Sequence, residues 1–101
     1  MKSEKLIIKE KEGVRCNIWL NRTEKGNAFD INLIRELNAL VQEMETDDDI
    51  QFVVIGGKGK NFCSGADLQW MKNAAELSYE DNLKERLELA ELFHQIYYSG
   101  K

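Results

Sequence analysis

A chain of 101 residues sets the scale of one small domain with a modest core, and 43% hydrophobic against 32% charged residues is a globular balance rather than a fibrous or disordered one. The formal charge of −4 and pI near 5.0, with lysines and arginines scattered rather than striped, leave no footprint for nucleic acid. Apolar runs reach only a few residues and Met1–Lys5 leads into no apolar segment, so no membrane partner is expected and the cytoplasm is the expected location.

In chain order, Leu6–Glu10 and Val14–Leu20, separated by Lys11-Glu12-Gly13, read as a β-hairpin with Val14, Cys16, Ile18 and Leu20 on one face. Asp30 is placed to cap a helix whose Leu33, Ile34, Leu37, Leu40, Val41 and Met44 form one buried stripe, ending near Thr46. Asp47-Asp48-Asp49 invites a metal reading. Consecutive side chains do not converge on one ion as calcium ligands do, which favours a solvated turn. Phe52–Ile55 is apolar at every position and is expected in the core as a strand covered on both sides. Ser78 with Asp81 approximates a capping box for a second long helix, with Leu83, Leu87, Ala90, Phe93, Ile96 and Tyr97 as its apolar stripe.

Several features suggest chemistry and fall short of it. Gly56, Gly57 and Gly59 with Lys58 and Lys60 resemble a nucleotide loop, but Gly59-Lys60 is followed by Asn61 where a Walker loop needs Ser or Thr, and a dinucleotide fingerprint lacks its third glycine. A flexible connection accounts for the run, in which Lys58 or Lys60 is a solvated lysine or touches a phosphate. Cys16 and Cys63 fit no zinc or redox spacing. Cys63 lies beside a helix start, where thiols are activated, yet lacks a matched histidine and reads as a small packed residue. His94 stands alone late in its helix.

The strongest signal is Asn61-Phe62-Cys63-Ser64-Gly65-Ala66-Asp67-Leu68, which follows an apolar run and a glycine-rich loop and leads into a helical pattern. A helix start leaves backbone N–H groups free and carries the positive end of the helix dipole, so an oxyanion is favoured there. Gly65 permits close approach of a ligand, Ala66 leaves its N–H uncovered, and Asp67 caps or favours the first turn.

With Asn21-Arg22-Thr23-Glu24-Lys25-Gly26-Asn27-Ala28-Phe29 earlier in the chain, this segment resembles the enoyl-CoA hydratase/isomerase (crotonase) family over nearly the whole length, from Leu6 to Lys101. Thr23 stands where the family commonly has proline and Ser64 where it commonly has alanine. The run from Asp67 to Lys72, with Ser78 to Asn82, is similar to methylglutaconyl-CoA hydratase-like members. The resemblance implies an α/β fold, the N-terminal part of a crotonase-like spiral of ββα units, assembled as a homo-oligomer, a trimer or hexamer. It implies an acyl-CoA thioester as partner, with coenzyme A as part of the substrate and no separate cofactor. Ala66 is then the first backbone oxyanion donor. Ser64 and Leu68, with Gly65, Ala66 and Asp67 between them, would lie against the adenine end of CoA, and Lys25 to Ala28, Asn27 among them, would contact the nucleotide.

The family's second donor and acid/base carboxylates fall beyond Lys101, so residues 1–101 are expected to be an N-terminal portion, with the catalytic second half absent. Glu76, Glu80, Glu85, Glu88 and Glu91 read as solvent-facing helix carboxylates without a catalytic role. The activity expected of the complete set is addition of water to an α,β-unsaturated acyl-CoA. An isomerase or thioester hydrolase of the same family is the first alternative, and a non-catalytic CoA-binding or assembly fragment is the second. An unrelated α/β domain with a chance Gly-Ala-Asp turn is a third.

Overall fold

Cys16, Ile18 and Leu20 alternate along the second strand and are each fully buried, and the rest of the fold is arranged to cover them. A computed structural model describes residues 5–101; the Met1–Glu4 stretch read above for a leader lies outside the described residues. Strand β1 (Ile7–Glu12) pairs antiparallel with β2 (Arg15–Leu20), from Ile7 opposite Leu20 to Glu12 opposite Arg15. The chain crosses through helix α1 (Ile31–Glu45) to β3 (Phe52–Gly57), which lies parallel to β2, giving a three-stranded sheet in the order β1-β2-β3. Helices α2 (Leu68–Ala75) and α3 (Tyr79–Tyr97) follow, and α3 packs on α1. The run β1-β2-α1 is one ββα unit, as expected.

Helix α1 forms where the sequence reading places it. Asp30 accepts the Leu33 N–H at 2.9 Å, and Leu33, Ile34, Leu37, Val41 and Met44 bury one side against Cys16, Ile18 and Leu20. Each such large apolar side chain contributes roughly 1.5–3 kcal/mol relative to exposure. Ile50 and Leu92 close the core. At its C-terminal end the helix is tied to β1 by Lys9–Glu43 at 2.8 Å, and the connection after it by Lys11–Asp47 at 2.6 Å. Among the described residues no helix is long and apolar enough to cross a membrane.

Five expectations change in detail. The hairpin turns at Gly13-Val14, because Gly13 takes φ 61° at the first position of a two-residue turn; Lys11 and Glu12 stay paired on the edge strand, and Val14 is 43% exposed. Strand β3 is covered on one face only. Val53 and Ile55 pack on the core while Phe52 and Val54 point away from it and are exposed. Gly56 and Gly57 are not loop but strand, opposite Trp19 and Leu20. A Cβ on Gly56 would come within 2.6 Å of the Trp19 ring, and one on Gly57 within 2.6 Å of the Asn61 carbonyl oxygen. Asp47 is held in an ion pair rather than freely solvated, and Lys11 keeps its carboxyl below the usual range.

Helix α3 is rotated from its expected setting. Ser78 caps it through the Asp81 N–H at 3.1 Å, but Leu92 is its one buried residue, supported by partly buried Leu89. Leu83, Leu87, Ala90 and Tyr97 face outward. Polar contacts set this rotation: Arg35 grips Glu88 through two bonds of 3.0 Å, and Asn38 donates to the Glu88 carbonyl at 3.1 Å and accepts from Gln95.

Candidate functional site

The two sequence motifs meet in space. A 3-10 turn over Thr23–Lys25 ends in Gly26 and Asn27, both left-handed, at φ 60° and 57°. Asparagine tolerates that conformation better than most residues because its short amide can bond locally. Here Asn27 Oδ1 accepts the Arg22 N–H at 2.7 Å, while Nδ2 donates to the carbonyls of Lys58 at 2.9 Å and Asn61 at 2.7 Å. The loop of the second motif is thereby drawn onto the first. Ser64 adds two links, its N–H to the Gly26 carbonyl at 3.0 Å and its hydroxyl to that of Lys25 at 3.2 Å.

Beyond these contacts Phe29 and Ala66 form a parallel bridge. The Phe29 N–H donates to the Gly65 carbonyl at 2.8 Å, and the Asp67 N–H donates to the Phe29 carbonyl at 2.7 Å. A trans peptide directs its C=O and N–H to opposite sides. With the Gly65 carbonyl turned to Phe29, the Ala66 N–H of the same peptide must point away. It meets no acceptor among the described residues. Gly65 sits at φ 109°, which a side chain would strain although the space around it is open.

Asp67 starts α2 by accepting the Trp70 N–H at 2.8 Å and pairs with Arg22 at 2.8 Å. The Trp70 N–H, helped by Arg22, holds its carboxyl below the usual range against the opposing effect of burial. The outward N–H of Ala66 therefore lies just ahead of a capped helix start, where the partial positive charge favours a developing anion.

Two cavities flank this N–H. A groove of about 490 Å³ is lined by Lys25, Ala28, Ser64, Ala66, Asp67, Leu68 and Gln69. An apolar cavity of about 680 Å³ is lined by Leu20, Phe29, Leu37, Ile55, Phe62, Cys63, Gly65, Ala66, Leu89, Phe93 and Ile96. Ala66 belongs to both. Of the site residues read from sequence, Lys25, Ala28, Ser64, Ala66, Asp67 and Leu68 line the groove, and Gly65 lines the cavity. Asn27 lines neither; it is fully buried, and its side-chain amide is consumed by structural bonds that position the loops.

The sequence reading missed Arg22 and the apolar cavity. Phe29 and Phe62 lay in the motifs it singled out, and Phe93 belonged to an apolar stripe assigned to the core. Cys63 is half-buried with its sulfur 3.8 Å from the Gly65 carbonyl oxygen. Lys58 lies over the Trp19 ring at 4.5 Å, and His94 packs on Tyr98 with centroids 4.7 Å apart. Glu85 accepts from the Trp70 indole at 2.7 Å and Glu88 is held by Arg35. Among the described residues, no glutamate lines either cavity at Ala66.

Residues 15–99 match the family model described as Enoyl-CoA hydratase/isomerase. The chain belongs to the enoyl-CoA hydratase/isomerase family. It is similar to the enoyl-CoA hydratase ACTT6 of Alternaria alternata, 40% identical over 78% of this chain and 24% of that protein. It is also similar to the short-chain-enoyl-CoA hydratase of Clostridium acetobutylicum, 34% identical over 65% of this chain and 26% of that one. Among solved structures, an enoyl-CoA hydratase from Shewanella pealeana superposes with TM-score 0.83 at 33% identity, covering 87% of this chain and 33% of that one. An enoyl-CoA hydratase/isomerase from Marinobacter aquaeolei superposes with TM-score 0.86 at 29% identity, covering 95% and 38%. The fold is thus that of the crotonase family, and the chain spans between about a quarter and two fifths of the length of these relatives.

Proposed function

We propose that the Ala66 N–H receives the thioester carbonyl oxygen of an acyl-CoA, and that the protein to which this chain contributes adds water to an α,β-unsaturated acyl-CoA. The observation that carries this reading is the unpartnered Ala66 N–H, turned outward by the Phe29–Gly65 bond at the junction of a polar groove and an apolar cavity. When a nucleophile adds at the β-carbon of an enoyl thioester, negative charge gathers on the carbonyl oxygen as an enolate. A fixed donor accelerates the step because it binds that oxygen more strongly in the transition state than in the substrate. The groove, with Lys25, Ala28, Ser64 and Leu68, suits the coenzyme A portion, and the apolar cavity suits the acyl chain. Coenzyme A enters as part of the substrate, without a separate cofactor. A second donor and the acid/base carboxylates are assigned to residues outside this chain. Assembly into a homo-oligomer is part of the same reading, supported by the exposed Phe52, Val54, Leu87 and Tyr97.

That no glutamate among the described residues lines either cavity at Ala66 favours one second reading, acyl-CoA binding without turnover by these residues alone. Incubation with crotonyl-CoA and methylglutaconyl-CoA, following loss of enoyl-thioester absorbance, tests the first reading, and titration with CoA tests the second. Turnover supports a hydratase, and double-bond migration or CoA release moves the assignment to an isomerase or hydrolase. Binding without reaction leaves the second reading, and failure to bind any CoA thioester overturns both.

A further inference from the structure

We propose that Arg22 is the positioning residue for the Ala66 N–H, an inference that rests on the acyl-CoA reading of that group. Its side chain is 14% exposed, and the guanidinium engages three separate elements of the site. One nitrogen donates to the Ala28 carbonyl at 2.8 Å and lies 2.8 Å from Asp67 Oδ2; the other lies 3.3 Å from Asp30 Oδ2. Each carboxylate uses its other oxygen to cap a helix, Asp30 for α1 through Leu33 and Asp67 for α2 through Trp70. One cation therefore joins the starts of both helices to the strand-like segment that carries Phe29.

Ala66 lies between the parts this cation fixes. Asp67 follows it directly, and Ala28 precedes the Phe29 whose N–H and carbonyl grip Gly65 and Asp67. Both sides of the bridge that turns the Ala66 N–H outward are thus referred to the same planar group. The root of the arginine is fixed as well, since its backbone N–H donates to Asn27 Oδ1 and its carbonyl accepts the Asn27 N–H at 2.9 Å. A guanidinium presents several donors in a rigid fork; a lysine at this place can hold one carboxylate but not the carbonyl and both caps together. Releasing the clamp leaves the N–H in place chemically and lets its direction wander, and a donor that wanders loses transition-state stabilisation before it loses binding.

The experiment uses the protein expressed from its own gene, with Arg22→Gln and Arg22→Lys variants, and reads the infrared carbonyl stretch of a bound acyl-CoA carrying carbon-13 at the thioester. The unmutated protein lowers that frequency through the polarising donor. Arg22→Gln retains less than half of the shift, and kcat falls about 10- to 100-fold with KM little changed; Arg22→Lys lies between. A merely structural arginine changes the melting temperature and leaves the carbonyl frequency of the folded protein untouched, and a folded Arg22→Gln with the unmutated frequency overturns the inference. Should Arg22→Gln fail to fold, Arg22→Lys decides, since an unmutated frequency there is equally fatal. No shift in the unmutated protein overturns the acyl-thioester reading itself, and this inference with it.

Discussion

Asn27 donates to the carbonyl oxygen of Asn61 at 2.7 Å, a bond between residues 34 apart in sequence that closes one motif loop onto the other. Asn27 is also held at φ 57°, so its role has a side-chain part and a backbone part. Asn27→Ala loses the three side-chain bonds and keeps the unfavourable backbone, and is expected to destabilise the fold by about 2–4 kcal/mol. Asn27→Gly loses the same bonds but adopts the backbone freely, and is expected to be the milder by roughly 1 kcal/mol. Urea unfolding of the two variants checks the order, and equal losses would remove the backbone part.

Gly57→Ala places a methyl group within 2.6–2.7 Å of backbone atoms of Asn61 and Phe62. Gly56→Ala meets the Trp19 ring, a side chain that can move, although moving it disturbs the indole bond to Glu10 at 2.8 Å. The expected loss is about 2–3 kcal/mol for Gly57→Ala and smaller for Gly56→Ala. Thermal melts read the difference, and reversal of the order would mean that the Asn61–Phe62 backbone yields more easily than a packed indole.

The lowered carboxyl of Asp67 fixes a pH dependence. Its ionised form is favoured in the fold by the Trp70 N–H and then by Arg22, so its contribution is complete above the unfolded value near ~3.9 and disappears as pH falls through the lower folded value. Asp67→Asn can still cap α2 but cannot carry the charge. It is expected to be less stable than the unmutated protein at pH 7 and to lose less stability between pH 5 and pH 2. Denaturant midpoints across that range test this, and parallel curves would deny Asp67 the role.

The hairpin and both long helices were readable because their apolar residues recur at periods of two or of three to four, and because Asp30 and Ser78 stand where caps are needed. The candidate site was readable in its backbone, since Gly65-Ala66-Asp67 names a bend, an uncovered N–H and a cap in turn. The setting of α3 was not. Its apolar residues cover more than one side, and the choice among sides is made by Arg35–Glu88 and Asn38–Gln95, pairs far apart in sequence. The fastening role of the Asn27 side chain was hidden for a related reason: the carbonyls of Lys58 and Asn61 that it bonds are more than thirty residues away in sequence and meet it only once the loops have closed.

The two thiols should part in reactivity. Burial pushes the Cys16 thiol up from its ordinary pKa, which keeps its thiolate scarce, and Cys16 is fully enclosed. Cys63 is half-buried on the wall of the apolar cavity. At pH 8 one thiol is expected to react with a disulfide reagent in the folded protein and the second only in denaturant, with an acyl-CoA slowing the first. Mass mapping identifies which cysteine was labelled.

Phe52 and Val54, 56% and 44% exposed on edge strand β3, present a surface suited to association. Val54→Lys is expected to change stability by no more than about 0.5 kcal/mol, because it removes no core contact. It is also expected to raise the monomer fraction in sedimentation velocity. A large loss of stability would show that this face is covered in solution.

The peptide joining Gly65 to Ala66 serves two purposes with one rigid plane. Its carbonyl fastens the two motif segments through Phe29, and its amide is the group left free. Fastening and aiming are therefore one degree of freedom. Hydrogen exchange at the Phe29 amide becomes a gauge of readiness: the opening that exposes this proton also swings the Ala66 N–H off its line. A local excursion far smaller than global unfolding suffices to silence the donor, so warming should extinguish its action while the helices and sheet still stand.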